Sequence, residues 1–153
     1  MRVAGIIKNS VVNGVGIRDV LFLQGCKHQC EGCHNPHTWN PLGGKERSVD
    51  ALVKKFKNSG NNMTISGGEP ILQFSEICEF MKRIKEEQGK SFWLYTGFRY
   101  EELPPHMLKE LSFYVDVLVD GRFEKDKKDL ALTFRGSSNQ RLIDLKESLK
   151  WNE

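Results

Sequence analysis

Short apolar runs alternate with amphipathic stretches along most of the chain, and this alternation limits the possible folds more than any other feature. Buried strands are predicted for residues 20–23, 63–66, 92–95 and 114–119. Stretches with apolar residues at three- and four-residue spacing lie between these runs and predict helices. Strands that alternate with helices form a mostly parallel sheet with right-handed crossovers. The sequence therefore predicts an α/β fold.

The length of the chain limits how far such a sheet can close. A complete eight-stranded α/β barrel needs about 250 residues, so the 153 residues of this chain can supply roughly half to two-thirds of one. We expect one domain over residues 1–153, built as an open, partial (β/α) barrel. Residues 3–7 add an edge strand. From about residue 121 the pattern is an irregular C-terminal segment, with a helix expected near residues 142–149.

Glycine or cysteine follows each of the four predicted core strands. The turns lie at residues 25–26, 66–69, 96–97 and 120–121. Parallel sheets bind their ligands at the carboxyl ends of the strands. Glycines at these positions let the backbone approach a ligand closely. We therefore expect the four turns to meet at one site.

The first of these turns carries three cysteines, Cys26, Cys30 and Cys33, in the spacing Cys-x₃-Cys-x₂-Cys. Three thiolates can hold three corners of a [4Fe–4S] cube. The fourth iron then lacks a protein ligand, and an open coordination position is typical of a site that does chemistry.

A zinc site is the main alternative for these cysteines. His28, His34 or His37 could supply its fourth ligand. Zinc sites usually take two short pairs of ligands with a longer loop between them, so the spacing favours the cluster. A disulfide is disfavoured because three cysteines are an odd number and the chain has the character of a cytoplasmic protein.

The second turn reads Ser66-Gly67-Gly68-Glu69-Pro70. A tight strand-to-helix turn explains the glycines and the proline, because proline suits the first helical turn. It does not explain the acid between them. A carboxylate and exposed carbonyl groups at this edge can bind an ammonium group, and the nearby cysteine loop strengthens that interpretation.

Charge and hydropathy argue against a nucleic-acid partner and against a membrane-spanning segment. The net charge of +3 does not indicate nucleic-acid binding, and no apolar run has the length of a membrane helix. We expect a cytoplasmic protein with no nucleic-acid or membrane partner.

Cys78 lies on the apolar face of a predicted helix and is interpreted as a core residue. His106 is interpreted as a surface residue.

The cysteine motif followed by the Ser-Gly-Gly-Glu-Pro turn resembles the radical S-adenosylmethionine superfamily. Within it, the chain resembles the activating proteins of anaerobic (class III) ribonucleoside-triphosphate reductases. Residues 12–18 and 33–39 resemble the activating enzymes of glycyl-radical enzymes in general. Residues 93–98, 117–123 and 135–140 narrow the resemblance to the reductase activating proteins. Most superfamily members carry an aromatic residue just before the third cysteine. Gly32 stands there in this chain, as in the reductase activating proteins.

The resemblance implies a cofactor set and a role for individual residues. Cys26, Cys30 and Cys33 would ligate a [4Fe–4S] cluster and act through it. S-adenosylmethionine would bind the open iron. Its binding residues would be Gly32, Asn35, Ser66, Gly67, Gly68, Glu69, Thr96 and Asp120, with Gly67, Gly68 and Glu69 receiving the methionine ammonium.

The resemblance also implies the reaction and its partners. The chain would be a radical oxidoreductase that reductively cleaves S-adenosylmethionine and generates a glycyl radical on the large subunit of anaerobic ribonucleotide reductase. A low-potential electron donor, flavodoxin-like or similar, would reduce the cluster. Two alternatives stay open at this point. One is an activating enzyme for another glycyl-radical enzyme, or another radical S-adenosylmethionine enzyme. The other is a non-enzymatic zinc-binding interaction module.

Overall fold

A seven-stranded sheet organises the protein in the computed structural model, which describes residues 1–33 and 36–146. The strands are β1 Arg2–Ser10, β2 Arg18–Leu23, β3 Lys45–Glu46, β4 Asn62–Gly67, β5 Phe92–Tyr95, β6 Val115–Asp120 and β7 Arg141–Asp144. They lie in the order β3-β1-β2-β4-β5-β6-β7, and the sheet does not close. The four central strands β2, β4, β5 and β6 are parallel, and the flanking strands pair antiparallel. The prediction of an open, partial α/β barrel is confirmed.

The central strands share one continuous row of apolar side chains. Leu21 pairs with Ile65, Ile65 with Leu94, and Leu94 with Leu118. All four side chains are fully buried in the hydrophobic core. Because a shift by one residue would turn each of these side chains to the opposite face, burial of the row fixes the register of the parallel strands.

Three helices lie between the central strands, where the amphipathic stretches predict them. They are α1 Val49–Lys55, α2 Phe74–Gln88 and α3 Pro105–Ser112. The Ser48 hydroxyl accepts a hydrogen bond from the Ala51 amide at 3.1 Å, which satisfies one of the first helical N–H groups of α1. Phe80 of α2 lies edge-to-face against both Phe56 and Phe92, with each pair of ring centroids 6.1 Å apart. These rings join α2 to the sheet and to the end of α1.

The structure corrects the prediction at both edges of the sheet. The expected N-terminal strand extends over Arg2–Ser10, and the two-residue β3 pairs with its outer side. The helix expected near residues 142–149 is wrong over its first part, because Arg141–Asp144 form β7. The open edge of β6 offers unpaired backbone groups there, and pairing with them outweighs local helix preference. Residues 147–149 lie outside the described residues.

No helix within residues 1–33 and 36–146 is long and apolar enough to cross a lipid bilayer.

Replacing Phe80 with alanine should lower the free energy of unfolding by about 3–5 kcal/mol, since the change leaves a cavity between α2 and the sheet. The measurement is urea denaturation of the metal-free protein, followed by circular dichroism. Phe113→Ala is the matched control, because the Phe113 side chain is 55% exposed. Its loss should lower the free energy of unfolding by less than about 1 kcal/mol. Equal costs for the two variants would contradict this packing.

Candidate functional site

One cavity of about 640 Å³ lies at the carboxyl edge of the parallel strands. Cys26, Cys30 and Cys33 line it together with residues of the turns after β4, β5 and β6. Part of the C-terminal segment, residues 132–136, also contributes to its wall. The parallel register of the sheet thus brings the four turns to one place.

The cysteine loop after β2 is closed by hydrogen bonds at its base. The amides of Gly25 and Cys26 donate to the carbonyls of Thr38 and Trp39. The buried Gln24 side chain donates to the carbonyl of His37 at 2.9 Å. The loop therefore begins and ends at one point, and the three cysteines are held between fixed ends.

Both burial and backbone hydrogen bonds act on the loop thiols. Burial raises the pKa of the Cys26 thiol, and the backbone N–H groups of His28 and Gln29 offset part of this shift. Burial also raises the pKa of Cys30, while the backbone N–H of Phe123 opposes that shift. N–H groups directed at sulfur stabilise thiolates and tune iron–sulfur clusters. In the metal-free chain burial has the larger effect and favours the thiols, so metal binding would have to release their protons.

The alternative of a single zinc ion finds no ready set of ligands in the described part of the chain. Within the described residues, no three His, Cys, Asp or Glu side chains are placed to hold one metal ion. Zinc requires its ligands around a single centre, whereas a [4Fe–4S] cluster assigns each thiolate to a different iron. His28 is turned to Glu69 and His37 is exposed. His34 lies outside the described residues. Three cysteines that line one cavity are consistent with a cluster.

The two glycines after β4 let the second turn pack directly on the cysteine loop. The Gly68 amide donates to the Leu23 carbonyl at 2.9 Å, and the Glu69 amide donates to the Gly25 carbonyl at 2.7 Å. A Cβ atom at Gly68 would overlap the Gly25 carbonyl, and Gly67 has a φ of +115°. Glycine is required at both positions because two backbone segments touch there.

Glu69 is 1% exposed and accepts four hydrogen bonds. Its Oε1 atom accepts from the His28 ring at 2.7 Å and from the Gly97 amide at 2.7 Å. Its Oε2 atom accepts from the Thr96 hydroxyl at 2.8 Å and from the Ile71 amide at 3.0 Å. The acid between glycine and proline therefore ties three segments together. That Glu69 also receives a ligand ammonium stays a prediction.

The other expected S-adenosylmethionine contacts have different positions. Ser66 and Thr96 line the cavity with Gly67 and Gly68. Gly32 lies in an exposed turn with a φ of +74°, close to the Phe123 ring. Asn35 lies outside the described residues.

Asp120 is fully buried at the end of β6, and its carboxylate already has a cationic partner. It accepts from the Tyr100 amide at 2.7 Å and from the Arg141 Nε atom at 3.1 Å. Arg141 also pairs with Glu101. The neighbouring Gly121 lines the cavity. In this structure Asp120 secures β7 to β6, and its expected cofactor contact stays a prediction.

Sequence reasoning missed part of the cavity wall. Arg122 and Phe123 follow the turn after β6, where the strand-end rule could have indicated them. Phe134 lies in the irregular segment, which carries no local signal. The Tyr95 hydroxyl donates to the Phe134 carbonyl, and the Trp93 ring lies edge-on to the Phe134 ring at 5.3 Å. Two strand residues thus hold this segment over the cavity.

The family comparison agrees with this site. Residues 12–143 match the family model described as a 4Fe-4S single cluster domain. The match includes all three loop cysteines and every turn that lines the cavity. The fold and the site thus define a protein of the 4Fe-4S single cluster class.

Curated relatives give a narrower assignment. The anaerobic ribonucleoside-triphosphate reductase-activating protein of Pasteurella multocida is 36% identical over 85% of this chain and 89% of its own length. The protein of that name from Escherichia coli is 35% identical over 85% of this chain and 90% of its own length. The one from Enterobacteria phage T4 is 40% identical over 86% of this chain and 86% of its own length. The chain belongs to the family of anaerobic ribonucleoside-triphosphate reductase-activating proteins.

Substituting Gly68 with alanine should displace the cysteine loop, because the new methyl group would overlap the Gly25 carbonyl. We expect the iron content after anaerobic reconstitution to fall by at least about half, measured by colorimetric iron analysis. Gly60→Ala is the matched control, since nothing lies within 4 Å of a Cβ atom there. Full iron content in the Gly68 variant would contradict the proposed contact.

Cys78 should be chemically inert in the native protein. It is 6% exposed in the core, and burial raises its pKa to about 12. At pH 8, iodoacetamide should alkylate the loop cysteines of the metal-free protein and reach Cys78 only after unfolding, as read by peptide mass spectrometry. Cys78→Ala should retain the iron content of the parent. Loss of iron in that variant would show that Cys78 is a ligand.

Proposed function

We propose that this chain is a radical S-adenosylmethionine oxidoreductase that activates anaerobic ribonucleotide reductase. It cleaves S-adenosylmethionine reductively at a [4Fe–4S] cluster and generates a glycyl radical on the large reductase subunit. The observation that carries this proposal is the shared cavity: the three loop cysteines line it together with Ser66, Gly67 and Gly68 of the second turn. Residues 1–153 would act as one radical S-adenosylmethionine domain.

The side chains of the loop define where the chemistry takes place. Cys26, Cys30 and Cys33 would hold the cluster, which when bound supplies the low-potential electron that breaks the sulfonium carbon–sulfur bond. Hydrogen bonds from the backbone to Cys26 and Cys30 stabilise their thiolate forms. Gly67 and Gly68 leave backbone groups accessible at the cavity wall, where a ligand can approach them without steric hindrance.

The shape of the cavity suits a large cofactor together with a polypeptide glycine. Its volume of about 640 Å³ lies in the range of small-molecule binding sites. Apolar side chains from two separate segments contribute to its wall, Val11 and Val12 on one and Leu132 and Phe134 on the other. Val11 and Val12 are mostly exposed in the chain by itself, and a bound partner would cover them and exclude water from a reactive species. A glycine carries no side chain, so a backbone loop of the partner can enter this space.

The remaining parts of the proposal concern the setting. The electron comes from a low-potential donor, flavodoxin-like or similar. We place the protein in the cytoplasm, since none of the four cysteines forms a disulfide in the described part of the chain and cluster ligands must stay reduced.

The test is electron paramagnetic resonance of the reconstituted, reduced protein mixed with S-adenosylmethionine and a large reductase subunit from the same source. We expect a glycyl-radical doublet that requires every component. 5′-Deoxyadenosine without the doublet would reject this partner and keep the enzyme class. A colourless protein that retains zinc after reconstitution would reject the enzyme class.

Single replacement of Cys26, Cys30 or Cys33 by alanine should remove the doublet and S-adenosylmethionine cleavage, because two thiolates cannot hold the cluster with one open iron. Cys78→Ala is the matched control and should give the parent yield. Full activity in any loop variant would overturn the assignment of that cysteine as a ligand.

A further inference from the structure

The His28 side chain is almost fully enclosed although it lies in a loop. It is 8% exposed. Its Nε2 atom lies 2.7 Å from Glu69 Oε1, and its Nδ1 atom lies 3.0 Å from the Arg122 Nε atom. Because an arginine N–H can only donate, Nδ1 is the acceptor of the hydrogen bond from Arg122. The ring proton is therefore on Nε2, which donates a hydrogen bond to Glu69. The two contacts fix both the tautomer and the orientation of the ring.

The ring also fills a slot that the strand ends leave open. A Cβ atom at Gly97 would lie 2.6 Å from the Cδ2 atom of His28, so only glycine leaves room for the imidazole. On another side, the ring packs edge-on to Phe98, with centroids 4.7 Å apart. Shape and hydrogen bonds together define one position for this side chain.

His28 connects the cysteine loop to every other turn of the site. It lies midway between Cys26 and Cys30 in sequence. Its side chain reaches Glu69 after β4, Gly97 after β5 and Arg122 after β6. Its backbone N–H is one of the groups directed at the Cys26 sulfur. A displacement of the His28 ring would therefore move a sulfur ligand and its hydrogen-bond donor together.

We propose that His28 is a positioning residue that fixes the loop of residues 26–33 against the cofactor pocket, with Glu69 as its anchor and Arg122 as its orienting donor. This inference rests on the proposed function, because it concerns the loop that would carry the cluster. In this proposal, Glu69 holds the cysteine loop in place by accepting the hydrogen bond from His28. Of the four hydrogen bonds that Glu69 accepts, one comes from the cysteine loop and fixes that loop to the turns that follow β4 and β5.

Two substitutions of His28 separate its hydrogen bonds from its shape. His28→Phe keeps a ring on Gly97 and loses both hydrogen bonds. His28→Gln keeps one donor and one acceptor. His106→Phe is the matched control, because His106 is exposed on α3. Each variant is reconstituted anaerobically, and two quantities are measured: the rate of iron release to a ferrous chelator and the Kd for S-adenosylmethionine.

His28→Phe should release iron roughly 10- to 100-fold faster than the parent, the factor expected for loss of a hydrogen bond to a charged group. Its Kd for S-adenosylmethionine should rise about 10-fold, since residues that hold metal ligands in position commonly change the affinity of a metal site by 10- to 100-fold. His28→Gln should stay within about 3-fold of the parent in both measurements, because an amide can both donate and accept. His106→Phe should match the parent.

Parent values for His28→Phe would overturn the proposal. Tighter S-adenosylmethionine binding by that variant would also overturn it, since the imidazole would then compete with the ligand ammonium for Glu69.

If His28→Phe fails to fold, the Arg122→Met variant tests the proposal. The Arg122 side chain is 45% exposed, and its loss should speed iron release about 3- to 10-fold. No change there would overturn the proposal. A parent protein without cluster would refute the proposed function instead.

Discussion

The parallel pairing of β2 with β4 is the constraint on which the site depends. The pairing runs from Arg18 opposite Asn62 to Leu23 opposite Gly67, so the two strands end side by side. Two further backbone hydrogen bonds continue the contact beyond the strands, from Gly68 to Leu23 and from Glu69 to Gly25. The cysteine loop and the glycine turn therefore start from one rigid base. A shift of register would separate the thiols from the turn and expose the apolar row of the core.

Glu69 extends this constraint from two strands to the whole edge of the sheet. A buried carboxylate is stable only when its oxygens accept hydrogen bonds. Here the donors come from the cysteine loop and from the turns that follow β4 and β5. Arg122 then links the loop to β6 through His28. The C-terminal segment closes the wall through Tyr95 and Trp93. The cavity is thus formed by polar contacts at its base and by aromatic contacts at its rim.

The sequence predicted the central fold because its signals are local. Apolar runs and the glycines or cysteine after each strand indicate β2, β4, β5 and β6, and the amphipathic spacing between them indicates the three helices. β3 and β7 were missed, since a two-residue strand has no periodicity and β7 forms only because the edge of β6 is available. The same reason applies to Phe134, whose place in the cavity wall depends on strand residues about 40 positions earlier.

By itself, the sequence determined the kind of chemistry: three cysteines at fixed spacing after a strand, with a Gly-Gly-Glu turn after the next one, predict one metal-thiolate site at a sheet edge. Only the tertiary structure decided how that site is held. His28 was a candidate zinc ligand in the sequence, and the fold turns it to Glu69 and Arg122. Asp120 was a candidate ligand contact, and Arg141 neutralises it. Spacing along the chain identifies groups that can react, but their partners come from distant segments, and only folding brings these together.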